Sequence, residues 1–99
     1  MFDYSRITGF DWDEGNARKN EKHGVSMAEA EQVFFNAPLL VLADSKHGSE
    51  ELRFHALSKA DTLRLLHITF TLHRGEEKIR VISARDMHRK ERVIYEKAT

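Results

Sequence analysis

Three short groups of residues combine types and spacings that chemistry could use. The first is Lys22-His23-Gly24. It sets a cation beside an imidazole, the side-chain type that takes and gives protons near neutral pH. The same residues also describe a helix C-terminus, with cations at the negative end of the dipole and a glycine in a left-handed turn. The second group is Glu51 and Arg53, two apart on an expected strand and therefore on one face. It reads as a surface ion pair worth about 0–1 kcal/mol, or as a carboxylate base beside a phosphate-binding guanidinium. The third is Arg80 with Arg85, either side of an expected strand-to-helix junction. The helix dipole opposes an arginine in a first helical turn, so Arg85 there calls for another reason. Guanidinium forks bind phosphate, and helix N-terminal amides add to such a site. Arg89, Lys90 and Arg92 continue the positive charge, as a solvated face or as a guide for an anionic polymer.

Other chemistries find little support. There is no glycine-rich phosphate loop, no GxSxG elbow and no HExxH. The histidines at 23, 47, 55, 67, 73 and 88 have no tight ligand spacing, so no metal and no cofactor is expected. The lack of cysteine excludes disulfides, thiolate zinc sites and a cysteine nucleophile, and fits a reducing compartment. No apolar run approaches the ~20 residues of a membrane span. Met1-Phe2-Asp3-Tyr4 does not begin like a signal peptide, so a cytoplasmic location is expected. The 16 basic and 16 acidic residues cancel, which argues against indiscriminate binding of polyanions. Residues 74–99 nevertheless hold eight basic against five acidic side chains, a local excess that suits a polyanion partner.

These groups need a scaffold, and 99 residues with 40% hydrophobic side chains suffice for a single domain, 1–99, with a modest core. Residues 9–12 read as extended, with Phe10 and Trp12 on one face. Asp13 can cap a helix to about Lys22. Ser26 and Glu29 form a capping box for a second helix, Met27 to about Asn36, burying Met27, Ala30, Val33 and Phe34. Strands follow at Leu39–Leu42, Glu51–Leu57, Leu63–His73 and Lys78–Ser83, with a turn at Gly75. In the third of these, Leu66, Ile68, Phe70 and Leu72 alternate with Leu65, His67, Thr69 and Thr71. His67 reads most simply as a satisfied histidine under a helix. Ser83 to Asp86 resembles a second capping box, opening a helix to about Lys97 that buries Met87, Val93 or Ile94, and Tyr95. Tyr95 would be a core aromatic with its hydroxyl at the surface. The expected class is α+β: two N-terminal helices and a C-terminal helix packed on a small antiparallel sheet.

Over nearly its whole length the sequence resembles the BrnT family, the ribonuclease toxins of type II toxin–antitoxin pairs. The likeness is carried by Phe10-Asp11-Trp12-Asp13, Asn16, Asn20, Lys22-His23-Gly24-Val25-Ser26, Ala30, Val33-Phe34, Asp44 and Glu51-x-Arg53-Phe54. It continues through Ile79-Arg80-Val81-Ile82-Ser83-Ala84-Arg85, Arg89-Lys90-Glu91-Arg92 and Tyr95. Many relatives have a glycine where this chain has Leu57-Ser58-Lys59. The resemblance implies a RelE-like fold and a metal-independent endoribonuclease. It also implies silencing by a BrnA-like antitoxin whose ribbon-helix-helix domain reaches operator DNA on behalf of both proteins. In that reading the ribose 2′-hydroxyl attacks the neighbouring phosphorus. Glu51 or His23 would be the base, and Arg53, Arg80 and Arg85 would stabilise the transition state. Lys22 or His23 would be the acid or a further cation, while Arg89, Lys90 and Arg92 steer the RNA backbone. Two other classes remain open: a non-catalytic nucleic-acid- or protein-binding module acting in operon control, and a metal-dependent hydrolase that uses the histidines.

Overall fold

A computed structural model of the chain describes residues 4–15, 23–44, 52–73, 75 and 77–98. Five strands form one sheet: β1 (Gly9–Phe10), β2 (Leu40–Asp44), β3 (Arg53–Lys59), β4 (Leu65–His73) and β5 (Lys78–Asp86). Their order across the sheet is β1-β5-β4-β3-β2. Strands β2 to β5 pair antiparallel with their sequence neighbours, as direct return connections require. β1 departs from the expected all-antiparallel sheet. It lies parallel to β5, because the chain crosses the sheet and three further strands before β5 comes to pair with it.

Two α-helices are found among the described residues, not three. α1 (Met27–Gln32) starts at the expected box: Ser26 Oγ accepts from Glu29 N at 3.1 Å, and Glu29 Oε1 accepts from Ser26 N at 3.2 Å. The chain then tightens into a 3₁₀ turn, Val33–Phe35. Ala30, Val33 and Phe34 are buried as expected, whereas Met27, the first helical residue, is exposed. α2 (Arg89–Lys97) closes the chain. The helix expected between Asp13 and Lys22 falls mostly outside the described residues. Its start is seen: Asp13 Oδ1 accepts from Gly15 N at 2.8 Å, and residues 14–15 are helical. Gly24 has φ +72°, the left-handed turn its position called for.

The two sheet faces are covered unequally. On one, α1 and the 3₁₀ turn bury Leu66, Ile68, Phe70, Ile79, Val81 and Ala84. The Phe34 ring meets Phe70 edge-on at 5.1 Å, and Phe54 stacks on Phe70 at 5.4 Å. On the other face, Leu57, Met87 and Tyr95 gather with Leu40 and Leu65 at the α2 end. Tyr95 is buried, and its hydroxyl turns inward to donate to Pro38 O at 2.8 Å instead of reaching the surface. Val93 and Ile94 are both exposed.

The junction before α2 also differs from expectation. β5 continues through Ser83 and Arg85 to Asp86, paired to β4 throughout, and Ala84 fills the core. Ser83 is therefore a strand residue and not a cap, and Arg85 is not in a helical turn. The helix begins three residues later, where Glu91 Oε1 accepts from His88 N at 2.8 Å. Ladder bonds to a long partner strand outweigh a local capping pattern that only resembles a helix start.

Candidate active site

The sheet face toward α2 is an ordered lattice of functional groups. Side chains alternate along a strand, so residues aligned by the ladder point to the same side. Leu57, His67 and Arg85 make one rung; His55, Thr69 and Ser83 the next; Arg53, Thr71 and Arg80 the third. Arg80 and Arg85 are an odd number of residues apart, which in a regular strand sends them to opposite faces. A bulge corrects this. Ser83 opposes Thr69 while Val81 opposes Phe70, so Ile82 is an extra residue in β5 and both arginines return to one face.

Between this face and the first turns of α2 lies a cleft of about 540 Å³, walled by Leu42, His55, His67, Thr69, Arg85 and Glu91 among others. His55 Nε2 stands 2.9 Å from Asp44 Oδ2. Its Nδ1 is 3.1 Å from both His67 Nε2 and Thr69 Oγ1. The carboxylate accepts the Nε2 proton, which leaves Nδ1 as an acceptor toward His67 Nε2 and Thr69 Oγ1 at the cleft. Burial, reinforced by the nearby Arg85 charge, pushes His67 down to about 4, so its ring is neutral at pH 7.

Arg85 is held by a two-pronged pair, Nη1 to Glu91 Oε1 at 2.8 Å and Nη2 to Oε2 at 3.0 Å. Burial alone would raise the Glu91 carboxyl, but the Arg85 guanidinium and the His88 N–H outweigh it and hold the group at about 2. Glu91 thereby ties α2 to the sheet and fixes Arg85 at the cleft wall.

The arginine rung lies one row beyond the cleft walls. Arg80 Nη2 reaches Asp11 Oδ2 at 3.1 Å, and the same oxygen is 2.9 Å from His73 Nδ1. Burial works against the charge on Asp11, but the bonds from Arg80 and His73 prevail and lower its pKa below the ordinary carboxylate value. The Nε atoms of Arg53 and Arg80 are both buried without a partner among the described residues. Orphaned donors cost free energy. A bound anion that drew both guanidiniums inward would relieve that cost.

Of the residues singled out in the sequence, Arg53, Arg80 and Arg85 share this face. Lys22 and Glu51 lie outside the described residues. His23 does not join the groove. It is exposed beside Gly24, whose carbonyl accepts from Arg64 Nη1 at 2.7 Å. Arg64 in turn pairs with Asp86 at 2.7 Å and Glu29 at 3.3 Å, on the α1 side of the sheet. Arg89, Lys90 and Arg92 are exposed in the first turn of α2. It is therefore their charges, and not that of Arg85, that stand against the dipole field at the start of a helix. Asp11, Asp44, His55, His73 and Glu91 were not singled out. His55 lies two residues from Arg53 on β3 and so shares its face, but the partners of these groups become visible only with the register.

A model of the family described as ribonuclease toxin BrnT of type II toxin–antitoxin systems matches residues 12–91. Among solved structures, the chain is similar to the Brucella abortus ribonuclease toxin BrnT, with a TM-score of 0.60 and 24% identity. The match covers 82% of this chain and 97% of that one, and at this identity it speaks for the fold. No curated protein sequence matches the chain.

Proposed function

Because the chain belongs to the BrnT family of ribonuclease toxins of type II toxin–antitoxin systems, we propose that it is an endoribonuclease that cleaves RNA without a metal ion on the sheet face beneath α2. The observation that supports this reading is the Arg53–Thr71–Arg80 rung, with two buried guanidinium Nε atoms that have no partner among the described residues, next to a histidine oriented by Asp44.

The scissile phosphate sits across that rung, where Arg53 and Arg80 neutralise the charge that grows on the phosphorane oxygens. The neighbouring ribose 2′-hydroxyl attacks phosphorus and gives up its proton to His55 Nδ1. A 2′,3′-cyclic phosphate forms, and the 5′-oxygen departs. Arg85, fixed by Glu91, adds positive charge at the α2 end. Arg89, Lys90 and Arg92 guide the flanking backbone. The proton-transfer role expected of Glu51 or His23 passes in this reading to His55, which the sheet itself carries into the groove.

The protein acts in the cytoplasm, where its substrate is, and a BrnA-like antitoxin with a ribbon-helix-helix domain silences it. Operator DNA is contacted only through that antitoxin. Among the described residues no helix is long and apolar enough to cross a membrane.

The test is end-labelled RNA incubated with the purified chain in excess chelator. Cleavage leaving cyclic phosphate and 5′-hydroxyl ends is expected. Binding without cleavage would make the chain a non-catalytic module, and cleavage silenced by chelator would make it a metal-dependent hydrolase.

A further inference from the structure

In-line cleavage of RNA removes a proton on one side of phosphorus and delivers one on the other. His55 accounts for the removal. We propose that His73 is the general acid that protonates the departing 5′-oxygen, with Asp11 as its positioning residue; this rests on the ribonuclease reading above.

The lattice places His73 for that task. It ends β4 two residues beyond Thr71, so it shares the face of the Arg53–Thr71–Arg80 rung. It stands on the side of that rung away from His55, which lies two residues beyond Arg53 on β3. At roughly 3.4 Å per residue, each histidine is about 7 Å along the sheet from the arginines. A phosphate bridging Arg53 and Arg80 therefore has one imidazole on either flank.

The surroundings of the His73 ring suit a proton donor. Nδ1 is fixed by Asp11 Oδ2 at 2.9 Å, while Nε2 has no partner among the described residues. The side chain is 35% exposed, so substrate can reach it. A carboxylate on one ring nitrogen sets tautomer and orientation and leaves the other free to exchange a proton. No other described histidine combines these features. His55 is taken up as the base, His67 is buried, His88 caps α2, and His23 lies beside Gly24 at the Arg64 cluster. Asp11 bonds Arg80 through the same oxygen, so one carboxylate aligns the phosphate ligand and the acid together. It is delivered by β1, whose parallel pairing ends with Asp11 N donating to Ile79 O at 2.9 Å.

The step balances. The 2′-O–H proton passes to His55, the 2′-O–P bond forms and the P–O5′ bond breaks. The Nε2 proton of the His73 imidazolium goes to O5′, and water exchange resets both rings.

The experiment compares the unmodified chain and His73→Gln on RNA, and on the same RNA with sulfur replacing the bridging 5′-oxygen at the cleaved linkage. A thiolate departs without a proton. His73→Gln is expected to slow ordinary RNA by about 10²–10⁴-fold and to cleave the sulfur substrate near the unmodified rate, which also shows that the variant is folded. Asp11→Asn should lose more on oxygen than on sulfur, with the residual loss reflecting Arg80. Equal losses of His73→Gln on both substrates, or none on ordinary RNA, would overturn the acid role. Equal losses of Asp11→Asn on both would overturn the positioning role. An unmodified chain that cleaves neither substrate overturns the ribonuclease reading itself, a distinct result.

Discussion

The chemistry of the groove is decided by which side chains still have hydrogen-bonding capacity to give. Arg85 spends its fork on Glu91, whereas Arg53 and Arg80 each keep a buried N–H without a partner among the described residues. Arg53→Ala and Arg80→Ala should therefore each lower the cleavage rate by about 10²–10³-fold with an unchanged circular dichroism spectrum. Arg80→Lys should restore little, because an ammonium cannot reproduce the fork that meets Asp11 and phosphate together. Loss confined to RNA affinity would move these residues from transition-state to backbone contacts. Acid sensitivity follows from two groups. His67 is neutral in the folded protein down to about pH 4 against an ordinary 6.5, so its protonation favours unfolding and stability falls as pH drops from 6.5 toward 4. Glu91 works at lower pH: its contribution is complete above 4.5 and is lost as pH falls toward 2. Unfolding free energies should drop between pH 7 and pH 4 by roughly 1–3 kcal/mol in denaturant titrations, and His67→Gln should flatten that decline. The three arginines stand out in the sequence as phosphate-binding guanidiniums, but a surface ion pair accounts for Arg53 equally well and Arg85 is expected in a helical turn, so their common face is not legible there. Nor is the pairing of Asp11 with His73, because only a contact across 62 residues joins them.

At the level of elements, a bulge that absorbs one extra residue aligns the site. Without the bulge at Ile82, Arg80 and Arg85 would fall on opposite faces of β5. Deleting Ile82 leaves Arg80 and Arg85 four residues apart, on one face of a strand without a bulge, so the variant should fold cooperatively in urea melts and keep cleavage. Alternation placed β4 and its two faces correctly from sequence, since nine residues of strict period leave one solution. The β5–α2 junction was misread for a physical reason. Ser83-x-x-Asp86 satisfies a local capping pattern, but strand length is set by a partner nearly twenty residues upstream, and the box that operates uses His88, an uncommon capping residue. β1 was read as extended, but its parallel seat beside β5 lies beyond any local signal. α2 is held largely at its C-terminal end by one residue. Tyr95→Phe removes the bond to Pro38 O and should cost about 1 kcal/mol, readable in equilibrium unfolding, while cleavage persists.

Across the whole molecule the charges cancel, so the proposed RNA binding rests on how they are arranged. The arginine rung, Arg85 and the first turn of α2 set positive charge on the sheet face that carries the cleft, while Glu29, Arg64 and Asp86 pair off on the opposite layer. Replacing Arg89, Lys90 and Arg92 by Gln should weaken RNA binding evenly across sequences. The slope of log affinity against log salt should become shallower by about 0.7 for each phosphate no longer neutralised. The division into two faces, one wholly apolar under α1 and one that mixes polar groups with an apolar patch under α2, is visible in the alternation of β4. The meeting of three distant segments over the polar face is not, since it depends on register, bulge and the parallel edge strand together. The central claim is that the scissile phosphate lies across Arg53 and Arg80. It is tested most directly by following arginine Nε–H resonances while a 2′-deoxy oligonucleotide, which binds but cannot be cut, is titrated in. The Arg53 and Arg80 signals should shift together and saturably, with Arg64 unmoved. Saturable binding that leaves both signals in place would contradict that claim.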